Sequence, residues 1–339
     1  MSAEAAPDPL RERVLQWLGK PLSGSGSAIA PDEVNVPMIR HWVDALDDQN
    51  PVYLDHETAG KGRFGAIVAP PAMLQTWTMA RPRIEGIAER GGAAMAVDEQ
   101  SPLGFLAAAG LTGTLATNSE LEFVRYLRPG DLLEASTKLD SVSERKTTGL
   151  GRGFFITWVT TYRCVDETGR PGEVVGRQSF RIFKFDPTVT PDPQERGGGA
   201  AARPEEPLPE PREQLPDLNL NVTATVVVAG AIASRDFMPV HHDRDYAQAQ
   251  GAPDLFMNIL TSTGYVARFV TDWAGPEARL QRIAIRLGAP CVPGHVLRFT
   301  GHVEQDRVEG DLRHVQVRLK AANTFGNHVT GTVALDLPA

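Results

Sequence analysis

One turn motif occurs twice in this chain, and that constrains its fold more than any other feature. Asp47 to Asp55 reads DDQNPVYLD and Arg235 to Asp243 reads RDFMPVHHD, and both place Pro-Val three residues after an aspartate, Asp48 or Asp236. A second correspondence follows each copy: YLRPGDLLEAS in the first half answers PCVPGHVLRFTG in the second, with Pro-Gly just before a strand-like run. Pro-Gly alone is a common turn. Two different signals recurring in the same order point to one helix-plus-sheet unit used twice.

The two copies are separated by FDPTVTPDPQERGGGAAARPEEPLPEPREQLP, a stretch of Pro, Gly, Ala and Glu with almost nothing able to enter a core. It predicts a linker over 187–216, with units at 26–186 and 217–339. A length of 339 residues suits two such units.

In the first unit, Pro37 to Asp47 places Ile39, Trp42, Val43 and Leu46 at helical spacing behind a first-turn proline. PPAMLQTWTMA from Pro70 predicts a second helix, and the glycine-rich run from Arg81 to about Asn118 reads as an insertion or lid. From Ser119 the period changes to two, and LEFVRYL, LLEASTKL, GFFITWVTTYRC and VVGRQSFRIFKF predict an antiparallel sheet. In the second unit TATVVVAGAI reads as a strand and LFMNILTSTGYVARFV as a long helix. The strands RIAIRL, HVLRFTGHV, HVQVRLKAA and HVTGTVALDL follow.

Composition removes several function classes. A net charge of −8 gives no basic excess for nucleic acid or an anionic membrane. The longest aliphatic stretch, Val226 to Ala233, is too short to span a bilayer, and no apolar leader precedes it. A cytoplasmic protein is expected. The two cysteines, Cys164 and Cys291, lie far apart without a metal-ligand spacing, so neither a zinc site nor any other metal is expected.

Asp236 and His241 stand five apart around Pro239, which favours a turn that brings both side chains to one side of a cleft. A carboxylate and an imidazole around one water can take its proton and deliver another to carbon. By spacing alone, such a pair is equally a solvated turn.

SRDFMPVHHDRDYA resembles the signature of the MaoC-like, (R)-specific enoyl-CoA hydratases, roughly Gly-Asp-x-Asn-Pro-x-His, with Asp236 and His241 at the two catalytic positions and Met238 in place of the asparagine. DDQNPVY resembles the same pattern with Asp48, Asn50 and Pro51 present, but Tyr53 where the histidine belongs. Tyrosine, with an ordinary pKa near ~10, is a poor proton shuttle at neutral pH. His56 is out of register and reads as a surface residue.

The resemblance implies an α+β double hot-dog, two antiparallel sheets each wrapped around a central helix. The catalytic unit is the second, and the first is inactive but binds the acyl group. A closer likeness is to the paired hydratases of bacterial steroid side-chain degradation. SRDFMPVHHDRDYAQAQGAPDLFMNIL and TDWAGPEARLQRIAIRLG look like the active partner and the first half like the inactive one, fused in one chain.

On that likeness the substrate is a bulky enoyl-CoA, with a 3-hydroxyacyl-carrier-protein dehydratase or a non-catalytic acyl-thioester-binding protein as alternatives. No cofactor is implied, because the thioester itself activates the alkene. A homodimer of double hot-dog chains is compatible with the pattern. A helix expected to begin near Leu255 offers the Phe256 amide for the developing enolate oxygen. Arg279, Arg282 and Arg286, or Arg125 and Arg128, could meet coenzyme A phosphates, although a solvated strand face fits them better. Trp77, Trp158 and Trp273 read as core or rim residues.

Overall fold

A computed structural model describes residues 8–22, 26–90, 98, 100–189 and 213–339. The first unit begins with α1 (Pro9–Leu15), β1 (Ser27–Ile29), α2 (Val36–Leu46), α3 (Pro51–Leu54) and α4 (His56–Lys61). Two 3-10 turns (Pro71–Met73 and Thr76–Thr78) and α5 (Pro102–Ala108) lead into β2 (Gly113–Phe123), β3 (Leu132–Val142), β4 (Lys146–Thr148), β5 (Gly151–Val165) and β6 (Pro171–Asp186). The second unit runs β7 (Leu218–Val222), α6 (Ala224–Ala233), a 3-10 turn (Pro239–His241), α7 (Arg244–Ala249) and α8 (Ile259–Ala274). It closes with β8 (Arg279–Leu287), β9 (His295–Glu309), β10 (Leu312–Asn323) and β11 (Gly326–Pro338).

All these strands join one antiparallel sheet in the order β1, β3, β5, β6, β2, β8, β11, β10, β9, β7, with β4 on β5. The order reads the same from both ends once β2 is matched to β8, β6 to β11, β5 to β10, β3 to β9 and β1 to β7. The two expected sheets are therefore halves of one. β2 and β8 pair from Asn118↔Arg286 to Glu122↔Arg282, and an Arg282–Glu120 ion pair of 2.7 Å crosses that seam.

The concave side carries the helices. α8 lies there with nearly every residue from Ile259 to Val270 buried, over an inner face built from Val317, Leu319, Val333 and Leu335. α2 of the first unit packs on α6 and α8 of the second, so one hydrophobic core runs through both units.

Several expectations change. Thr223 to Ile232 is not a strand but the cap and body of α6, where the Thr223 hydroxyl accepts the Val226 N–H at 3.2 Å. Its valines favour strand only weakly, and burial against neighbouring helices overrides that preference. Gly230 is needed there, because a Cβ at that position would stand 2.4 Å from Thr261.

The helix expected from Pro70 is replaced by the two 3-10 turns, which bury Met73, Leu74 and Trp77 in the place that α8 occupies in the other unit. β2 starts at Gly113, so the Arg81–Asn118 stretch contains α5 and the start of β2. Residues 91–97 and 99 of that stretch, and 190–212 of the linker, lie outside the described residues. The end of the linker is not inert: Leu215 is buried and its N–H donates to the Gly301 carbonyl at 2.9 Å. Among the described residues no helix is long and apolar enough to cross a membrane.

The contact between units is tightest at Gly264 of α8, where a Cβ would lie 2.6 Å from Leu46 Cδ2 and 2.9 Å from Trp42 Cζ2. Gly264→Ala should therefore destabilise the chain by about 1–3 kcal/mol, despite alanine's better helix propensity, through overpacking. Urea denaturation of the two proteins measures the difference.

Candidate active site

The second-unit turn is set by backbone geometry. α6 ends at Ser234, Arg235 takes a left-handed φ of 60°, and the Asp236 N–H returns to the Ala231 carbonyl at 2.9 Å. Met238 N–H reaches Asp236 Oδ1 at 3.4 Å, and Pro239 then starts the 3-10 turn that ends at His241. Asp236 and His241 are thereby brought together as expected, with Oδ2 and Nε2 3.5 Å apart and the imidazole almost wholly buried.

The His241 tautomer follows from its other contact. Nδ1 is 2.7 Å from the Phe256 carbonyl, which can only accept, so Nδ1 carries a proton and Nε2 is the nitrogen that faces Asp236. A gap of 3.5 Å is long for a direct hydrogen bond, and a shared water or hydroxyl can lie against both groups.

Asn258, a residue that sequence reasoning missed, holds the carboxylate. Its Nδ2 donates to Asp236 Oδ2 at 3.0 Å and to Ser234 Oγ at 2.9 Å, while its Oδ1 caps α8 by accepting the Thr261 N–H at 2.8 Å. An asparagine just before an apolar helix is an N-cap signal, but nothing local tells that its amide also faces Asp236. His328 anchors the same turn: Nδ1 donates to the Ala289 carbonyl at 2.8 Å and Nε2 accepts from Ser262 Oγ at 2.9 Å. Burial holds His328 below the ordinary histidine pKa, which keeps it neutral for that role.

The helix begins at Ile259, not near Leu255, because residues 255–258 are irregular. The Phe256 N–H is accordingly occupied, donating to the Val240 carbonyl at 3.2 Å. The amides left without an intrachain acceptor are those of Ile259 and Leu260 in the first turn of α8, where the helix dipole also favours negative charge.

Arg279, Arg282 and Arg286 lie on β8, and Arg125 and Arg128 in the loop between β2 and β3. Arg282 pairs with Glu120, Arg125 with Asp131 and Glu173, Arg128 donates to the Phe64 carbonyl, and Arg279 to that of Val124. Among the described residues no group of three or more His, Cys, Asp or Glu side chains could hold a metal ion.

Comparison with known proteins places this geometry. Residues 209–324 match the MaoC like domain and 23–171 the FAS1-like, dehydratase domain region. The 3-oxo-4,17-pregnadiene-20-carboxyl-CoA hydratase beta subunit of Mycobacterium tuberculosis is 48% identical over 123 residues, 36% of this chain and 92% of that protein. The chain belongs to the MaoC-like family.

The alpha subunit of the same hydratase is 37% identical over 179 residues, 52% of this chain and 53% of that one. A probable enoyl-CoA hydratase alpha subunit of Thermomonospora curvata is 40% identical over 206 residues, 60% of this chain. The MaoC-like chain spans only 59% of that relative's length. Among solved structures, a MaoC-like dehydratase superposes with TM-score 0.67 at 19% identity, covering 96% of this chain and 99% of that one. A Mycobacterium tuberculosis protein described as a double hot-dog fold does so with TM-score 0.56 at 14% identity, covering 94% and 96%. The fold is a double hot-dog, and among the described residues the long central helix is α8 of the second unit.

The first unit of this MaoC-like chain keeps the turn and lacks the pair. Asp47 takes a φ of 51° and the Asp48 N–H returns to the Val43 carbonyl at 2.8 Å, as at Arg235 and Asp236. Tyr53 replaces the imidazole and is buried, with its phenol pushed well above the ordinary range by desolvation. His56 is exposed at the start of α4.

Asp48 is 5% exposed, and burial raises its pKa from 3.8 to about 6. A raised folded-state pKa means that Asp48 favours folding while protonated, and that this contribution is lost as pH climbs from about 4 to about 6. Asp48→Asn keeps an acceptor for the Asn50 N–H and cannot ionise. It should stabilise the chain by about 2–3 kcal/mol at pH 7.5, with the difference vanishing near pH 4. Denaturation midpoints at the two pH values check this.

Proposed function

We propose that this chain adds water across the 2,3 double bond of a bulky enoyl-CoA, or catalyses the reverse dehydration, at one active site per chain. The observation that carries the reading is His241 Nε2 lying 3.5 Å from the Asp236 carboxylate, with Nδ1 held by the Phe256 carbonyl and the first turn of α8 alongside. His241 takes a proton from a water held against Asp236, and the water oxygen bonds to C3. The electrons of the double bond move toward the thioester oxygen, which the Ile259 and Leu260 amides stabilise as charge develops. The imidazolium returns a proton to C2, so that H and OH have been added across the bond.

The relatives support the same class. One is named for a steroid-derived carboxyl-CoA, and both its alpha and its beta subunit resemble parts of this chain. We read the chain as an alpha-like, catalytically inert unit fused to a beta-like, catalytic one, with coenzyme A thioesters as substrates and a steroid side-chain ester as the leading candidate. The intact Asp236/His241 pair and the likeness of the second unit to the beta subunit support placing the chemistry there.

Asp236→Asn and His241→Ala should each lower kcat/KM for enoyl-CoA hydration by about 10²–10⁴, the range of general acid–base contributions. Tyr53→Phe should leave it within about twofold. Absorbance loss of the conjugated enoyl thioester follows the reaction. Full activity in Asp236→Asn would end the assignment.

A further inference from the structure

Of the three arginines on β8, two have partners and one does not. Arg282 pairs with Glu120 and Arg279 donates to the Val124 carbonyl. Arg286 is exposed and, among the described residues, its side chain makes neither an ion pair nor a hydrogen bond.

Strand register gives Arg286 a neighbour of the same sign. It lies opposite Asn118 of β2, and Asn118 lies opposite Arg181 of β6, so two arginines from different units flank one amide. Side chains alternate across a sheet, and Ser119, Phe180, Ile182 and Ile285 beside them are the buried, core-facing residues. The three polar side chains therefore stand on the face turned away from the helices.

The row runs on in both directions without an acid. Thr157 of β5 lies opposite Arg181, Thr330 of β11 opposite Arg286, and Lys320 of β10 opposite Thr330. Every one of these side chains can donate a hydrogen bond. Four residues along β2 the same seam is arranged differently, with Glu122 standing between Arg177 and Arg282. Opposite charges across strands stabilise a sheet and like charges destabilise it, so the row through Asn118 is the one that calls for an anion.

Arg181 is already held in place. Its guanidinium lies 4.4 Å over the Phe155 ring, which packs on Phe183 with 4.7 Å between centroids. Its Nε has no hydrogen-bond partner although it is buried. Burial and the charge of Arg286 both hold Arg181 below the ordinary arginine pKa, so the two guanidinia are near enough to act on one another. Stacking uses the face of a guanidinium and leaves its edge donors for an acceptor.

We propose that Arg181 and Arg286, with the Asn118 amide between them, form a site for a phosphate-type dianion that bridges the two units on the face of the sheet opposite the catalytic pair. Forked guanidinium donors match the oxygens of such an anion. With one strand between them the two Cα atoms stand about 10 Å apart, which leaves room for one anion between the heads. Binding replaces a repulsion across the β2–β8 seam by two attractions. The sheet separates this site from Asp236 and His241, so it is independent of the hydratase reading.

The test titrates inorganic phosphate into the full chain by calorimetry at pH 7.5 and constant ionic strength. A net charge of −8 repels anions in general, so saturable binding reports local donors. Wild type should bind one phosphate per chain. Arg286→Gln removes an exposed side chain with no bond to lose, so the variant folds, and it should weaken binding at least ~10-fold, the scale of one hydrogen bond to a charged group. Arg181→Lys keeps the charge without the fork and should fall between the two. Lys320→Gln, two strands further along, should leave affinity within about threefold because screening weakens distant charges.

Pyrophosphate and adenosine 3′,5′-bisphosphate serve as further probes of where the anion comes from. A nucleotide bound about 10-fold more tightly than phosphate, and weakened by Arg286→Gln, assigns the site to a nucleotide's phosphate, whereas equal or tighter binding of the inorganic anions assigns it to free phosphate. Absence of saturable phosphate binding, or unchanged affinity in folded Arg286→Gln, overturns the site.

Discussion

The pairing of β2 with β8 is the constraint on which the rest of this molecule depends. Each unit alone would leave a long edge strand unpaired, with a row of free N–H and C=O groups. Joining the edges satisfies that row and closes two half-sheets into one. It also fixes where the units sit: Ser119 and Leu121 of β2 come beside the first turn of α8, and α2 reaches across to the face of α8 marked by Gly264. The Asp236 and His241 turn is therefore built beside residues of the first unit.

Duplication followed by divergence explains the asymmetry. Arg235 and Asp47 are the two non-glycine residues with left-handed φ among those described, and each directly precedes the motif aspartate. A strained turn retained in both units marks a shared architecture. Its contents have separated. In the second unit the aspartate faces an imidazole and an asparagine amide, whereas in the first it is sealed with a tyrosine, and burial pushes it toward protonation. After the motif the second unit forms the sixteen-residue α8, whereas the described residues of the first form two 3-10 turns and the short α5.

Much of this was legible because it is local. Period-two runs marked the strands, and the Asp236–Pro239–His241 spacing marked the turn. The misreadings share a cause. Thr223 to Ile232 has the β-branched residues of a strand, yet it stands to Asp236 as α2 stands to Asp48, so the repeat itself carried the correct answer that propensity obscured. PPAMLQTWTMA has a helix's composition, but Pro70 and Pro71 remove two backbone donors at its start, and the segment folds as two 3-10 turns, the first of them packed on α8. The Phe256 amide looked free because the helix start was placed four residues early, and its N–H is in fact closed by the Val240 carbonyl.

The sequence by itself determined the duplication, the strand-rich helix-bearing unit, and the one copy of the motif that holds both an acid and an imidazole. These are properties of residue order and spacing, which survive without coordinates. Only the tertiary structure decided which groups complete the site. Asn258 on Asp236, the Phe256 carbonyl on His241 and His328 on Ser262 act through distances between segments apart in sequence. Their side chains acquire a meaning only when the shared sheet brings both units around one core, because hydrogen-bond geometry and burial are relations in space.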